Sequence, residues 1–405
     1  MVLAACAQLP DKSPALAEPA KPVKPAKPLE VAKTPDLPKI DLSSQILYEF
    51  LLAEVAGQRG NLGLASDAYL DLAKITRDPR LAKRATEVGL YSRRLPQAFE
   101  AAKLWNELEP DADTPRQTVV ALLVSAGKLE QARPLLVQMI ANDAGSRMQV
   151  FLYLGNLLAK HTDKVASLAF IKDLAQPYPA VPEAHFAIAQ VAGSAEQMDA
   201  ALAEVREAAR LSPDWEAAAL FQGQLLQHVS STQAIEFYKT YLKRNANARE
   251  VRLAYARLLV SEKNYIVARE EFKQLLQAFP DQADVVFAVG LLSLQLDEYD
   301  AAEAYLKQAL TLQYKDENLV YLYLGQLNEE RKKFDEAGRW YASVGASEQY
   351  LPAQMRIAGL LAKQGKLDDA RKYLQQVTVQ NNQQRVQLVQ AEAQLLRGEK
   401  ISNCL

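Results

Sequence analysis

The segment Tyr299 to Leu306 reads YDAAEAYL, and three further segments repeat its pattern. They are residues 265–272 (YIVAREEF), 334–341 (FDEAGRWY) and 367–374 (LDDARKYL). Each begins with an aromatic residue or leucine, carries alanine at its fourth position, and ends on a bulky apolar residue at its eighth. Apolar residues at this spacing predict one amphipathic helix per segment.

The alanine of this pattern recurs through most of the chain and predicts a repeat. The intervals between its ten occurrences are 33, 34, 34, 35, 33, 34, 34, 35 and 33 residues. A 34-residue period resembles the tetratricopeptide repeat, whose unit is a hairpin of two helices, A and B. Alanine is expected where helix B crosses close to helix A. These packing anchors are Ala65, Ala98, Ala132, Ala166, Ala201, Ala234, Ala268, Ala302, Ala337 and Ala370.

Two further columns support the repeat. A small residue is expected on helix A twelve positions before each anchor, and six units have one: Ala53, Ala189, Ala256, Gly290, Gly325 and Ala358. A bulky residue four positions after the anchor is expected to fill the core of the hairpin: Tyr69, Leu136, Phe170, Val205, Tyr238, Phe272, Leu306, Tyr341 and Leu374. The pattern is weakest over residues 140–232, where Leu154 and Gln222 take the small position.

We therefore predict an all-α fold, a right-handed superhelical solenoid of about ten tetratricopeptide-type hairpins over residues 44–383. Residues 384–405 are expected to form one lone helix A and an irregular tail that ends within a unit. Residues 7–43 contain no aromatic residue, and residues 10–39 hold eight prolines and six lysines, a composition typical of an extended, disordered linker.

The first six residues, MVLAAC, resemble the end of a bacterial lipoprotein signal, with Cys6 as the lipidated residue. We interpret the chain as lacking the charged and apolar regions that precede such a cysteine. An acylated Cys6 followed by the linker predicts a lipid anchor. Ala7, rather than an aspartate, follows the cysteine, and this resembles the lipoprotein sorting signal that implies the periplasmic face of the outer membrane. If the match is accidental, the protein is expected to be cytoplasmic.

Composition and motifs argue against catalysis and nucleic-acid binding. The 47 basic and 49 acidic residues nearly cancel, without the basic excess of nucleic-acid-binding proteins. Three scattered histidines, His161, His185 and His228, match no metal or catalytic motif, and no phosphate-binding loop is present. We therefore expect no enzyme activity, no cofactor, no metal and no small-molecule substrate.

A partner protein is expected in the groove lined by the A helices. The residue fifteen positions before each anchor should face that groove, and most of these residues are apolar. They are Phe50, Lys83, Gln117, Phe151, Phe186, Ala219, Leu253, Phe287, Leu322 and Met355. Such a stripe suits an extended or helical peptide. The alternative is that these side chains pack between neighbouring A helices, and the sequence alone supports both.

Residues Leu47 to Arg94 resemble the first units of a proteobacterial family of outer-membrane tetratricopeptide lipoproteins. One member of that family binds a periplasmic C-terminal processing protease. The resemblance implies an adaptor that binds and activates this serine protease and presents substrates to it, chiefly peptidoglycan hydrolases. Two alternatives stay open: a structural lipoprotein of an envelope machine, such as a pilotin or secretion-assembly factor, and a cytoplasmic cochaperone.

Overall fold

The computed structural model describes residues 37–141 and 144–397, which form 21 α-helices and no strand. The helices are α1 (Ser44–Gln58), α2 (Leu62–Thr76), α3 (Pro79–Tyr91), α4 (Leu95–Leu108), α5 (Asp113–Ser125), α6 (Leu129–Ala141), α7 (Ala144–Ala159), α8 (Lys164–Ala175), α9 (Pro182–Ser194), α10 (Met198–Leu211), α11 (Glu216–Val229), α12 (Ser231–Arg244), α13 (Arg249–Ser261), α14 (Tyr265–Ala278), α15 (Ala283–Gln295), α16 (Tyr299–Thr311), α17 (Glu317–Glu330), α18 (Phe334–Ala342), α19 (Tyr350–Lys363), α20 (Leu367–Gln376) and α21 (Asn382–Leu396).

The order of the helices confirms the all-α prediction. Odd-numbered helices α1 to α19 are the A helices, each followed by its B helix, and α21 is a further helix A. The chain divides between Leu225 and Leu226 into two units. The first contains α1 to α10 and most of α11, and the second contains α12 to α21. Cys6 and most of the predicted linker lie outside the described residues, and residues 37–43 have no regular secondary structure.

A residue with left-handed backbone conformation follows the A helix in eight of the ten hairpins, always five positions before the anchor. Glycine occupies the site at Gly60, Gly127 and Gly365, with φ of 77°, 71° and 79°. Glycine adopts this conformation without a steric cost, which is why it marks these turns in the sequence. The other five hairpins use a longer residue with φ between 58° and 61°: Arg93, Glu196, Lys263, Asp297 and Lys332.

Three of the B helices end just before a proline. Pro110, Pro213 and Pro280 each lie two residues beyond the last residue of α4, α10 and α14. Proline cannot continue a helix because it lacks the backbone N–H and its ring clashes with the preceding turn. None of the helices within the described residues is both long and apolar enough to cross a membrane.

Close contact between the two helices of a hairpin explains the small residues of the repeat. A Cβ added at Gly325 would lie 2.4 Å from Cδ1 of Tyr341, and one added at Gly290 would lie 3.1 Å from Cγ of Leu306. Both contacts join helix A to the bulky residue four positions after the anchor. That bulky column is buried throughout, and burial raises the pKa of Tyr238 to about 12.

Nine of the ten predicted anchors have no exposed surface, and the fourth differs. Ala166 is half-buried, whereas the neighbouring Ser167 is fully buried. The hydroxyl of Ser167 donates a hydrogen bond to the carbonyl of Asp163 over 2.7 Å, so serine is tolerated in the core. The turn between α7 and α8 lacks the left-handed residue.

Candidate protein-binding surface

Half of the stripe predicted to line the groove is buried in the structure. Phe151 has no exposed surface, Ala219 has 1%, Phe287 has 2%, and Phe186 and Leu322 each have 7%. Gln117, Leu253 and Met355 are half-buried, whereas Phe50 and Lys83 are exposed. Side chains with at most 7% of their surface exposed offer a partner almost no contact area unless the protein rearranges. The packing alternative therefore accounts for the five buried residues.

The three buried phenylalanines are covered by aromatic residues from the loop that leads into the next helix A. Phe151 meets Tyr178 edge-on with ring centroids 5.7 Å apart. Phe186 lies 4.7 Å from Trp215, and Phe287 stacks on Tyr314 at 4.4 Å. These distances are those of favourable aromatic pairs.

The next A helix adds a second aromatic ring in two of these places. Phe221 approaches Phe186 with centroids 5.6 Å apart, and Tyr323 approaches Phe287 at 5.9 Å. The signal in the sequence is an aromatic residue 27 to 29 positions after each phenylalanine, which the groove prediction did not use.

The first helix, α1, exposes an apolar surface, here called the α1 face, in contrast to the closed part of the stripe. Its five residues are Leu47, Tyr48, Phe50, Leu51 and Val55, with between 40% and 64% of each exposed. Surfaces of contiguous apolar side chains are typical of protein interaction sites. Phe50 is thus the predicted groove residue that belongs to an open apolar patch.

The α1 face exists because α1 is apolar on more sides than its neighbour can cover. Ser43 caps the helix by accepting a hydrogen bond from the amide of Ile46 over 3.2 Å. Ala53 and Ala56 are buried against α2, in a cluster that also contains Tyr69. Helices that are apolar all round are normally buried. Within residues 37–141 and 144–397, the remaining apolar residues of α1 are therefore without the cover that such a helix requires.

Charges around the first two A helices have opposite signs. Helix α1 carries two acidic residues, Glu49 and Glu54, and no basic one. The hydroxyl of Tyr69 donates a hydrogen bond to Glu54. Burial and this carboxylate together raise the pKa of Tyr69. A partner that covers the α1 face would therefore meet apolar side chains and negative charge.

Helix α3 is mainly basic on its exposed side. Arg84 lies over the ring of Tyr69 at 5.9 Å, and Lys83 lies over Trp105 at the same distance. Lys83 also lies 4.0 Å from Glu87. Lys83 is thus an exposed cation, as its place in the predicted stripe requires.

Polar side chains connect helices A and B at the same position of two hairpins. His185 Nδ1 lies 2.7 Å from Glu204, and its Nε2 lies 3.1 Å from the carbonyl oxygen of Pro179. Arg252 repeats this arrangement two hairpins later, since it contacts Glu271 and the carbonyl oxygen of Ala246. Both side chains join helix A to a residue 19 positions later, so we assign them a structural role.

A third polar group is centred on Glu329 of α17. Its carboxylate accepts hydrogen bonds from Tyr341 over 2.8 Å, from Lys363 over 2.6 Å and from Arg356 over 3.2 Å. Burial alone would raise the pKa of Glu329, but these partners outweigh it and lower the pKa. Within residues 37–141 and 144–397, no group of histidine, cysteine or acidic side chains is placed to hold a metal ion.

Comparison with known proteins agrees with the hairpin array. Residues 253–317 and 287–350 match the family model of the tetratricopeptide repeat. A TPR repeat-containing protein of Pseudomonas aeruginosa is 29% identical over 355 residues, or 87% of this chain. The chain spans 60% of the length of that relative.

Solved structures with similar hairpins include two bacterial proteins. PilF of Pseudomonas aeruginosa is 21% identical, with a TM-score of 0.36, over 48% of this chain and 89% of that one. MamA of Desulfovibrio magneticus is 18% identical, with a TM-score of 0.35, over 40% of this chain and 92% of that one. The ten helical hairpins and the two matched segments agree with a fold built from tetratricopeptide-type hairpins.

Proposed function

We propose that the protein is a non-catalytic adaptor that binds a partner protein through the α1 face. The observation that carries this proposal is the exposure of Leu47, Tyr48, Phe50, Leu51 and Val55 on one helix. Covering them would remove a large apolar area from water, at roughly 25 cal/mol per Å² before the costs of association. Because α1 is acidic, the complementary surface is an apolar groove with basic residues at its rim.

We propose as the partner a periplasmic C-terminal processing protease, which the adaptor activates and supplies with peptidoglycan hydrolases. Support for this choice comes from the resemblance of residues 47–94, the stretch that contains the α1 face, to outer-membrane tetratricopeptide lipoproteins. Anchoring through an acylated Cys6 would hold the hairpins at the periplasmic face of the outer membrane. The linker over residues 7–43 would give them reach from that anchor.

Affinity capture from an envelope extract tests the choice of partner. The full-length gene product carries the tag, and captured proteins are identified by mass spectrometry. Recovery of a C-terminal processing protease is expected, together with faster cleavage of a peptidoglycan hydrolase when the adaptor is added. Recovery of secretin or pilus subunits without the protease would overturn the proposal in favour of an envelope-machine component.

Metabolic palmitate labelling tests the anchor separately. The full-length gene product should be labelled and should sediment with the outer membrane, and Cys6→Ala should abolish both. An unlabelled, soluble wild-type product would remove the lipid anchor but leave the α1 face as a binding surface.

A further inference from the structure

The turns that join helix A to helix B in the first four hairpins carry mainly positive charge. They are residues 59–61, 92–94, 126–128 and 160–163. Their one acidic residue is Asp163, which caps α8 by accepting a hydrogen bond from the amide of Ala166. Their lysines and arginines are Arg59, Arg93, Arg94, Lys128 and Lys160.

The loops at the other end of these helices, which lead from helix B to the next helix A, carry the opposite charge. Within the described residues of the first unit, their one basic residue is Arg77, whose guanidinium lies 2.7 Å from Glu107. Their acidic residues are Asp78, Glu109, Asp111 and Asp214. The first unit therefore has a basic edge and an acidic edge, which orient it in the field of a charged surface.

The four turns adjoin one another, so their charges form one surface. Arg94 in the second turn donates a hydrogen bond to the carbonyl of Gly63, beside the first turn, over 2.6 Å. Helix α4 and the third turn line one cavity of about 400 Å³. A Cβ added to Gly127 in the third turn would lie 4.0 Å from Nε2 of His161 in the fourth. We call this surface the turn edge and define it by Arg59, Tyr91, Arg93, Leu95, Lys128 and Lys160.

Cationic and apolar side chains of the turn edge both face solvent. Its four cations are exposed, and none of them forms an ion pair with another described residue, whereas Arg94 pairs with Asp67. Tyr91 has 81% of its surface exposed, and Leu95 has 51%. Tyrosine is enriched where one end of a side chain meets apolar material and the other end meets water, as at the surface of a membrane.

A lipid surface fits this arrangement better than a folded protein does. The cations follow one another from hairpin to hairpin, with neighbouring helix axes roughly 8–10 Å apart, so they form an extended strip. Lipid headgroups move laterally and can meet each cation of the strip, whereas a folded protein would need a fixed anion opposite each one. Lysine and arginine also reach charged groups while their stems lie along apolar surface.

We propose that the turn edge binds the surface of a bilayer that contains anionic lipid. The cations meet the phosphate groups of the lipids, and Tyr91 and Leu95 enter the boundary between headgroups and acyl chains. This contact needs no acyl chain on Cys6 and no residue of the α1 face, so it does not rest on the proposed function. Where an acyl chain is present, the turn edge supplies the second attachment that stable membrane association requires.

Vesicle sedimentation tests this contact. The full chain carries Cys6→Ser, so that no acyl chain contributes, and the vesicles contain phosphatidylcholine alone or with about one-third phosphatidylglycerol. Saturable binding to the anionic vesicles, at least tenfold weaker binding to the neutral ones, and weakening with added salt are expected. Equal binding to the two kinds of vesicle would overturn the proposal, and so would the absence of binding to the anionic ones.

Charge reversal locates the contact. Arg93→Glu plus Lys128→Glu should weaken binding to anionic vesicles at least tenfold. Glutamate suits the left-handed backbone of residue 93, since Glu196 has φ of 58° at the same position of the fifth hairpin. The matched control, Lys172→Glu plus Arg206→Glu, makes the same change in net charge on exposed residues of the B helices and should bind normally. Equal binding of the two variants would overturn the proposal.

Two further variants separate the apolar contribution and the α1 face. Tyr91→Ser plus Leu95→Ser should weaken vesicle binding at least threefold even in added salt, because the loss does not depend on charge. Leu47→Glu plus Leu51→Glu should bind vesicles like the parent chain, so failure of the α1 face and failure of the turn edge are distinguishable. If reversing the charges of the turn edge abolished capture of a protein but left vesicle binding unchanged, the turn edge would bind an acidic protein instead of lipid.

Discussion

The ring of Phe287 stacks on Tyr314 with centroids 4.4 Å apart, which closes a position that the repeat pattern assigns to the partner groove. Phe151 and Phe186 are covered in the same way by Tyr178 and Trp215. The loops between hairpins thus supply the cover that a bound peptide supplies in an open groove. Apolar surface suitable for a partner remains at α1, where no loop aromatic covers Phe50 within the described residues.

Removing two of the covered rings tests this closure. Phe151→Ala plus Phe186→Ala should lower the free energy of unfolding by about 3–5 kcal/mol for each ring, as for other buried phenylalanines. Denaturant unfolding followed by circular dichroism measures the change. Phe50→Ala is the matched control and should stay within about 1 kcal/mol of wild type, since Phe50 is 40% exposed. If the double variant kept its stability but lost partner binding, the prediction that these residues line a partner groove would be correct instead.

Helix contact at Gly325 gives a second prediction. Gly325→Ala should destabilise the second unit by about 1–3 kcal/mol, because the new Cβ would lie 2.4 Å from the ring of Tyr341. Gly338→Ala is the control, since its Cβ would meet nothing within 4 Å and alanine favours the helix by up to about 1 kcal/mol. Thermal unfolding of both variants should therefore shift in opposite directions. A stable Gly325→Ala protein would show that α17 and α18 are less tightly packed than described.

The difference in burial between Ala166 and Ser167 can be tested by three leucine substitutions. Ser167→Leu and Ala132→Leu should each cost about 1–3 kcal/mol, because both residues are fully buried. Ala166→Leu should cost less than about 1 kcal/mol, because Ala166 is half-buried. Chemical denaturation ranks the three variants. If Ala166→Leu were the most damaging, the anchor would be the residue that the spacing predicts.

Glu329 provides a prediction for the dependence of stability on pH. Burial raises the pKa of Glu329, but Lys363, Tyr341 and Arg356 lower it by more than burial raises it. The pKa of this carboxyl in the folded protein is therefore below its usual value of 4.5. Stability from this group is present above that value and is lost as the pH falls through the folded pKa. Glu329→Gln should therefore cost about 1–3 kcal/mol at pH 7, and the difference from wild type should shrink below about pH 4.5. This assignment would be contradicted if the difference in unfolding free energy between wild type and Glu329→Gln were the same at pH 3.5 as at pH 7.

The sequence was sufficient to predict the helices but not how the predicted groove is covered. The alanine spacing located every hairpin because close contact of two helices requires a small residue at a fixed interval. It did not predict that Ser167 is fully buried while the expected anchor Ala166 is half-buried. The small side chain of Ser167 fits the core because its hydroxyl donates a hydrogen bond to the carbonyl of Asp163. It also did not decide whether Phe151 and Phe186 are exposed or buried, because their cover by Tyr178 and Trp215 depends on the path of irregular loops. The path of these loops does not follow from the periodicity of the sequence.

The central claim is that the α1 face binds the partner protein, and an affinity measurement tests it most directly. Leu47→Glu plus Leu51→Glu places two charges on the α1 face, and Val165→Glu plus Ile266→Glu places two charges on exposed apolar residues elsewhere. Isothermal titration calorimetry with the captured protease should give at least tenfold weaker binding for the α1 variant and wild-type affinity for the control. Both variants should unfold at the wild-type temperature. Equal affinity of the α1 variant and the control would contradict the account.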